Sequence, residues 1–116
     1  GGGRDKWKRP EMGKLAAKYC DSIFLTNEDP YDEDPKNILL DIGKGFLSHY
    51  SKQAMQYKSV IDRRDAISEA LKSANPGDLI IITGKGAEPW LMGPNGTKIA
   101  WDDREIVREE LKKLQN

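Results

Sequence analysis

The chain has 116 residues, enough for one domain around a single modest core and too few for two. Its 19 Lys and Arg balance 19 Asp and Glu, so no general basic field exists to hold nucleic acid. No apolar run approaches bilayer length, no secretory leader opens the chain, and the single cysteine, Cys20, excludes an internal disulfide; the expectation is a soluble cytoplasmic domain with no membrane partner.

Pro10 suits the first turn of a helix, where its missing N–H is not needed. Met12, Leu15, Ala16 and Tyr19 then recur at helical spacing as one apolar face, and Cys20 at its end reads as a buried structural thiol. The segment 22-SIFLT-26 reads as a buried strand. In 27-NEDPYDEDP-35 the Asp-Pro pairs exclude helix and demand an irregular loop. Asp34 and Pro35 are a good N-cap and first-turn pair for a second helix whose inward face is Ile38, Ile42 and Phe46. A short strand is expected at 57–60. Asp62 then caps a helix bearing Ala66, Ile67, Ala70, Leu71 and Ala74, which 75-NPG-77 ends. The run 79-LIIIT-83 reads as another buried strand, and 90–101 as two short strands around Gly-Pro-Asn-Gly. Asp102 caps the last helix, with Glu105 at the capping-box position and Val107, Leu111 and Leu114 facing inward.

This alternation predicts an α/β fold: a Rossmann-like, mostly parallel sheet flanked by helices on both faces, with a short antiparallel hairpin near the C-terminus. Ligands in such folds sit beyond the carboxyl ends of the strands, which singles out the glycine-rich start, the loop 27–34 and the loop 84–90.

Each of the three has its own chemistry. In 1-GGGRDKWKRPEMG-13 the cations Arg4, Lys6, Lys8 and Arg9 crowd ahead of a helix start, a setting that attracts anions, though a solvated basic end would look the same. The loop 84-GKGAEPW-90 is not a P-loop, because Gly86 rather than Ser or Thr follows Lys85. Its glycines allow close backbone approach, while Glu88 would repel phosphate and pair with an ammonium group. The stretch 28–34 holds five carboxylates in seven residues, yet with no His or Cys nearby and no EF-hand glycine it reads as a helix-capping loop and not a metal site. His49 sits in an uninformative segment, and Trp7, Trp90 and Trp101 read as packing residues.

In this order the motifs resemble one family. GGGRDKWKRPEMG resembles the G-G-x-R-D-K-x-K-R-P-x-M-G segment of UDP-MurNAc-tripeptide synthetases, the Mur ligases that add the third residue of the peptidoglycan stem peptide. The stretch 26-TNEDPYDEDP-35 is similar to that family's T-x-D-N-P-R-x-E-x-P loop. The segments 62-DRRDAISEAL-71, 76-PGDLIIITGKGAE-88 and 102-DDREIVREEL-111 are similar to its D-R-x-x-A-I, G-K-G-H-E and D-D-R-E segments.

The resemblance implies that residues 1–116 are the family's carboxy-terminal domain, without its first strand and without the central ATPase and amino-terminal domains. It implies ATP and Mg²⁺, bound mainly by the central domain, and UDP-MurNAc-dipeptide, bound by the others. ATP would phosphorylate the dipeptide carboxylate, and the amine of an incoming amino acid would attack the acyl phosphate. By resemblance Arg4 binds a carboxylate of that amino acid, where a planar guanidinium suits bidentate contact. Gly84 and Glu88 hold its distal end, and Lys6, Lys8 and Arg9 are candidate nucleotide or docking contacts. Catalytic groups are not expected in this domain, which alone would be inactive.

Two departures stand out. Asp29 and Tyr31 replace the Asn and Arg of D-N-P-R, which in diaminopimelate-adding members grip the substrate's second carboxylate; an acid there favours a lysine-type substrate. Ala87 replaces the histidine of G-K-G-H-E. The competing readings are a sister ligase, such as a folylpolyglutamate or cyanophycin synthetase, and a free-standing binding module of the same fold. A sheet edge left bare by a missing strand also predicts an edge-paired dimer.

Overall fold

The computed structural model describes residues 2, 6–48, 56–85 and 88–115. His49 lies outside them, as do Ala87 and Arg4, and the side chain of Phe46 is likewise outside the description. In chain order the elements are α1 (Lys8–Tyr19), β1 (Ser22–Leu25), α2 (Pro35–Ser48), β2 (Gln56–Ser59) and α3 (Arg63–Ser73). A hairpin follows, β3 (Trp90–Met92) and β4 (Lys98–Ala100) around a turn at Pro94–Gly96, and α4 (Asp103–Gln115) closes the chain.

β1 and β2 pair in parallel, with Ile23 opposite Tyr57 and Leu25 opposite Ser59. Parallel neighbours need a crossover, which α2 supplies. Ile23 and Leu25, two residues apart, share one face of β1 and pack with Ala17 of α1 and Leu39 of α2, with Ala16 and Ile42 beside them. α3 contacts β1 and packs on α4, and Ala66, Ile67 and Ile106 are buried. The antiparallel hairpin pairs Trp90 with Ala100 and Met92 with Lys98. The architecture is thus a small α/β domain, a parallel pair with its helices plus a short hairpin near the C-terminus.

The caps behave as their chemistry demands. Asp34 Oδ1 accepts from the Lys36 amide at 2.9 Å, Asp62 Oδ1 from the Asp65 amide at 2.9 Å, and Asp102 Oδ1 from the Arg104 amide at 2.9 Å. Each satisfies a donor that the first helical turn leaves open.

Five expectations fail. Met12, Leu15 and Tyr19 are exposed, and α1 instead buries Arg9, Gly13 and Ala17. α1 lies so close to α2 that a Cβ on Gly13 would overlap the Ile42 carbonyl and one on Gly45 the Pro10 carbonyl. Large side chains cannot enter such a crossing, so they take the outer face. In α4, Ile106 and Glu110 are buried while Leu111 and Leu114 are exposed. The run 79–83 enters no ladder, and Leu79 is 83% exposed; an apolar run can become a strand only where a neighbour meets its backbone. Cys20 and Trp7 are exposed, not packed.

Candidate functional site

The carboxyl ends of β1 and of the run 79–83 deliver two loops to the same place. The first, through Asp29 and Tyr31, carries unusual backbone: φ is 33° at Asp29 and 53° at Tyr31. Left-handed φ at non-glycine residues is strained and persists only where surrounding contacts impose it. Those contacts come from the hairpin. Asp29 Oδ1 accepts from the Met92 amide at 2.8 Å, the Tyr31 amide donates to the Met92 carbonyl at 3.3 Å, and Asp32 Oδ1 accepts from the Asn95 amide at 2.7 Å. On the other side the Gly2 amide donates to the Asp29 carbonyl at 2.8 Å, which brings Gly2 against the same loop.

The second loop begins at Gly84, whose φ of 99° is open to glycine but not readily to other residues. Its α-carbon faces Glu28, where a Cβ would lie 3.7 Å from Cγ. Lys85 comes next and is buried, its Nζ 3.2 Å from Asp29 Oδ2 and 3.5 Å from Glu88 Oε2. The Glu88 side chain is 58% exposed. Its own backbone N–H, then the charge of Lys85, holds its carboxyl below the usual range. Burial alone would raise Asp29, but the Met92 amide, a hydrogen bond with the Glu28 side chain and the Lys85 ammonium together leave it lowered. Both groups are therefore carboxylates at neutral pH, with different duties. Asp29 is satisfied internally, whereas Glu88 presents charge to solvent.

Beneath these loops sits Arg63, the first residue of α3 and buried. Its Nε and Nη2 form a fork to the two Asp103 oxygens at 2.9 and 2.8 Å. Nη1 donates to the Asn27 carbonyl and Nη2 to the Thr83 carbonyl, each at 3.2 Å. Asp103 also accepts from Trp101 Nε1 at 2.7 Å. Burial opposes its charge, yet Arg63 and then Trp101 hold its carboxyl below the usual range. The Asn27 side-chain oxygen is buried and has no hydrogen-bond partner among the described residues.

Of the residues picked from sequence, Asp29, Gly84 and Glu88 converge through Lys85, and Tyr31 follows in the same strained loop, half-buried. Arg4 lies outside the described residues. Lys6 is exposed, and Lys8 is exposed with its ammonium 5.7 Å from the Trp7 ring centroid. Arg9 is not presented to a ligand: buried, it makes a fork to Glu33 at 2.9 and 3.0 Å and reaches Asp41 at 3.0 Å. That triad binds α1 to the acidic loop and to α2. In the acidic loop Asp34 caps α2 as expected, Asp32 accepts from the Asn95 amide while remaining exposed, and Asp29 and Glu33 are tied to distant parts of the chain. Among the described residues no group of three or more His, Cys, Asp or Glu is arranged to hold a metal. Reading by sequence missed Lys85, Arg63 and Asp103 as site-building residues. Arg63 and Asp103 stood in quoted motifs, but nothing local announced that they face each other.

The arrangement presents one exposed carboxylate beside a buried, already neutralised Lys–Asp pair, where two loops meet. It suits a cationic group, not a phosphate.

A family model described as Mur ligase, glutamate ligase domain, matches residues 1–86. The UDP-N-acetylmuramoyl-L-alanyl-D-glutamate–2,6-diaminopimelate ligase of Caldanaerobacter subterraneus is 45% identical over 112 residues, 96% of this chain and 22% of that protein. The enzyme of the same name from Aquifex aeolicus is 42% identical over 111 residues, 96% of this chain and 22% of that protein. UDP-N-acetylmuramyl-tripeptide synthetase 2 of Oceanobacillus iheyensis is 43% identical over 109 residues, 94% of this chain and 20% of that protein. A solved structure of a 2,6-diaminopimelate ligase superposes over 100% of this chain with a TM-score of 0.86 and 32% identity, covering 23% of that chain. The chain thus spans about a fifth of the length of the curated relatives it matches. The relatives named for an amino acid carry diaminopimelate, so they turn against the lysine-type expectation. The internal use of Asp29 removes its physical basis, since a carboxylate already neutralised by Lys85 repels a second carboxylate only weakly.

Proposed function

This chain belongs to the Mur ligase family, and from that membership we propose that it is the amino-acid-presenting domain of an ATP-dependent ligase that adds diaminopimelate to UDP-MurNAc-L-Ala-D-Glu. The observation that carries the reading is Glu88: an ionised, exposed carboxylate fixed 3.5 Å from buried Lys85, at the lip of two converging loops. Glu88 takes the distal ammonium, Gly84 lets the substrate backbone approach, and Tyr31 lines the same lip. Arg4 is assigned the substrate carboxylate by family resemblance. ATP and Mg²⁺ belong to other domains of the whole protein.

In the whole protein, phosphorylation by ATP makes an acyl phosphate, the amine attacks its carbonyl carbon, and phosphate leaves as the amide forms. The task of this domain is to hold the amine within reach, which converts an encounter into a positioned reaction. ATP and a nucleotide-linked sugar as co-substrates place the work in the cytoplasm. No helix is long and apolar enough to cross a membrane among the described residues.

The test uses the full-length protein and measures ADP release with ATP and UDP-MurNAc-dipeptide. Diaminopimelate is expected to drive release and lysine to do so far less. Glu88→Gln should raise the KM for the amino acid by roughly tenfold or more, the weight of one charge-assisted contact. Residues 1–116 alone should release no ADP. A preference for lysine, or an unchanged KM in Glu88→Gln, would sink the reading.

A further inference from the structure

The two loops that form the lip are joined at two levels. At the top, Lys85 pairs with Asp29 at 3.2 Å. Below, a single guanidinium donates to the carbonyl of Asn27, two residues before Asp29, and to the carbonyl of Thr83, one residue before Gly84. No ladder joins β1 to the run 79–83 among the described residues, so backbone pairing does not set the separation of their carboxyl ends. Arg63 does.

We propose that Arg63 is a positioning residue for the amino-acid subsite, fixing the distance between the Asp29–Tyr31 lip and the Gly84–Glu88 lip, and that Asp103 holds Arg63 in the orientation this requires. The inference rests on the reading that these two loops hold the amino acid. Four of the five N–H donors of the guanidinium are used, two on Asp103 and one on each loop. The planar fork is what makes this work: with two N–H groups aimed at the carboxylate, the remaining edge has a fixed direction toward the carbonyls. Lysine, a point charge on a flexible stem, cannot hold both carbonyls at a set spacing. The arrangement is buried, with the Arg63 side chain 3% exposed, so the orientation is not averaged by solvent. Trp101, donating to Asp103 at 2.7 Å, links the end of the hairpin to the same clamp.

A purely structural arginine would stabilise the domain without touching one substrate more than another. The positioning role predicts a selective effect. In the full-length protein, Arg63→Lys and Asp103→Asn should each raise the KM for the amino acid by about tenfold or more, the scale expected when a binding pair is displaced by about an ångström. The KM values for ATP and UDP-MurNAc-dipeptide should stay within about twofold, well under the 1.4 kcal/mol that a tenfold change represents. Asp103→Asn keeps the side-chain shape and one acceptor, so it serves where Arg63→Lys fails to fold. Equal rises in all three KM values, a lowered Tm with no change in any KM, or failure of both variants to fold would each show a structural role and overturn the proposal. Glu88→Gln measured alongside separates the two claims. If that variant raises the amino-acid KM and a folded Arg63→Lys does not, the positioning role falls while the site stands. If Glu88→Gln has no effect, the site itself falls.

Discussion

Asp29 shows how a residue can sit at a ligand site and belong to the scaffold. Its carboxylate is divided between the Met92 amide and Lys85, and water cannot take the place of Lys85, whose side chain is 1% exposed. Asparagine, which the resembling family carries at this position, would keep an acceptor for Met92 but leave the lysine, among the described residues, with the Glu88 carboxylate at 3.5 Å. Removing one partner of a buried pair is more damaging than the pair is beneficial. Asp29→Asn is therefore expected to lower stability by about 3 kcal/mol at neutral pH, the low end for a broken buried pair because Glu88 remains near. The sign with pH follows from the lowered folded-state pKa. A carboxylate held down by its partners stabilises the fold above the ordinary aspartate value of about 3.9, and that contribution is lost as pH falls through the lower folded value. Urea unfolding of both proteins from neutral pH into acid should show a gap that is constant above about pH 5 and narrows below about pH 4. A gap independent of pH would mean that the charge of Asp29 is not what stabilises the loop.

The α1–α2 crossing sets what could and could not be read from sequence at the level of elements. Gly43 and Gly45 lie two residues apart on α2 in opposite situations. A Cβ on Gly45 would stand 2.7 Å from the Lys14 amide nitrogen as well as overlapping Pro10, whereas a Cβ on Gly43 meets only Leu25 Cδ1 at 3.9 Å. Alanine favours a helix over glycine by about 1 kcal/mol, so Gly43→Ala should stabilise by about 0.5 to 1 kcal/mol. Gly45→Ala gains the same propensity but must push the two helix backbones apart, and should destabilise by about 1 to 3 kcal/mol. Thermal unfolding of the pair checks this, and equal effects would mean that the crossing is looser than these distances imply. The same contact explains the misread stripe. Periodicity weighs large apolar side chains, so it marked Met12, Leu15 and Tyr19, while the contact is made by Gly13 and Ala17 with Arg9 held by Glu33 and Asp41. Apart from the run 79–83, element identities were legible, as were the caps, because Asp34, Asp62 and Asp102 act on amides two or three residues away. The pairing of Lys85 with Asp29 and of Arg63 with Asp103 was not, since each joins residues 40 or more positions apart. Only the folded chain brings those partners together.

At the scale of the whole molecule the chain is a slab of 42 × 41 × 19 Å with unspent apolar surface. Leu79 and Ile81 are 83% and 69% exposed in a run that enters no ladder among the described residues, and each strand of the parallel pair has one neighbour among them. Unpaired amides and carbonyls beside exposed aliphatic side chains form a template for another strand. Two kinds of occupant suit it: a further strand of a longer chain, which the family resemblance implies, and the edge of a second copy. Residues 1–116 by themselves offer only the second, so they are expected to associate into edge-paired dimers at concentrations of order 100 µM. Leu79→Lys with Ile81→Lys should return them to monomers, because charge on an edge opposes pairing. A longer chain carrying that further strand should be monomeric without either substitution, since the template is then filled from within. Light scattering on the eluting peaks of all three separates the cases. Monomer throughout would show that the run 79–83 is no template for pairing, and a dimer that survives both lysines would place the contact elsewhere, with the exposed Met12, Leu15 and Tyr19 face of α1 as the next surface to charge.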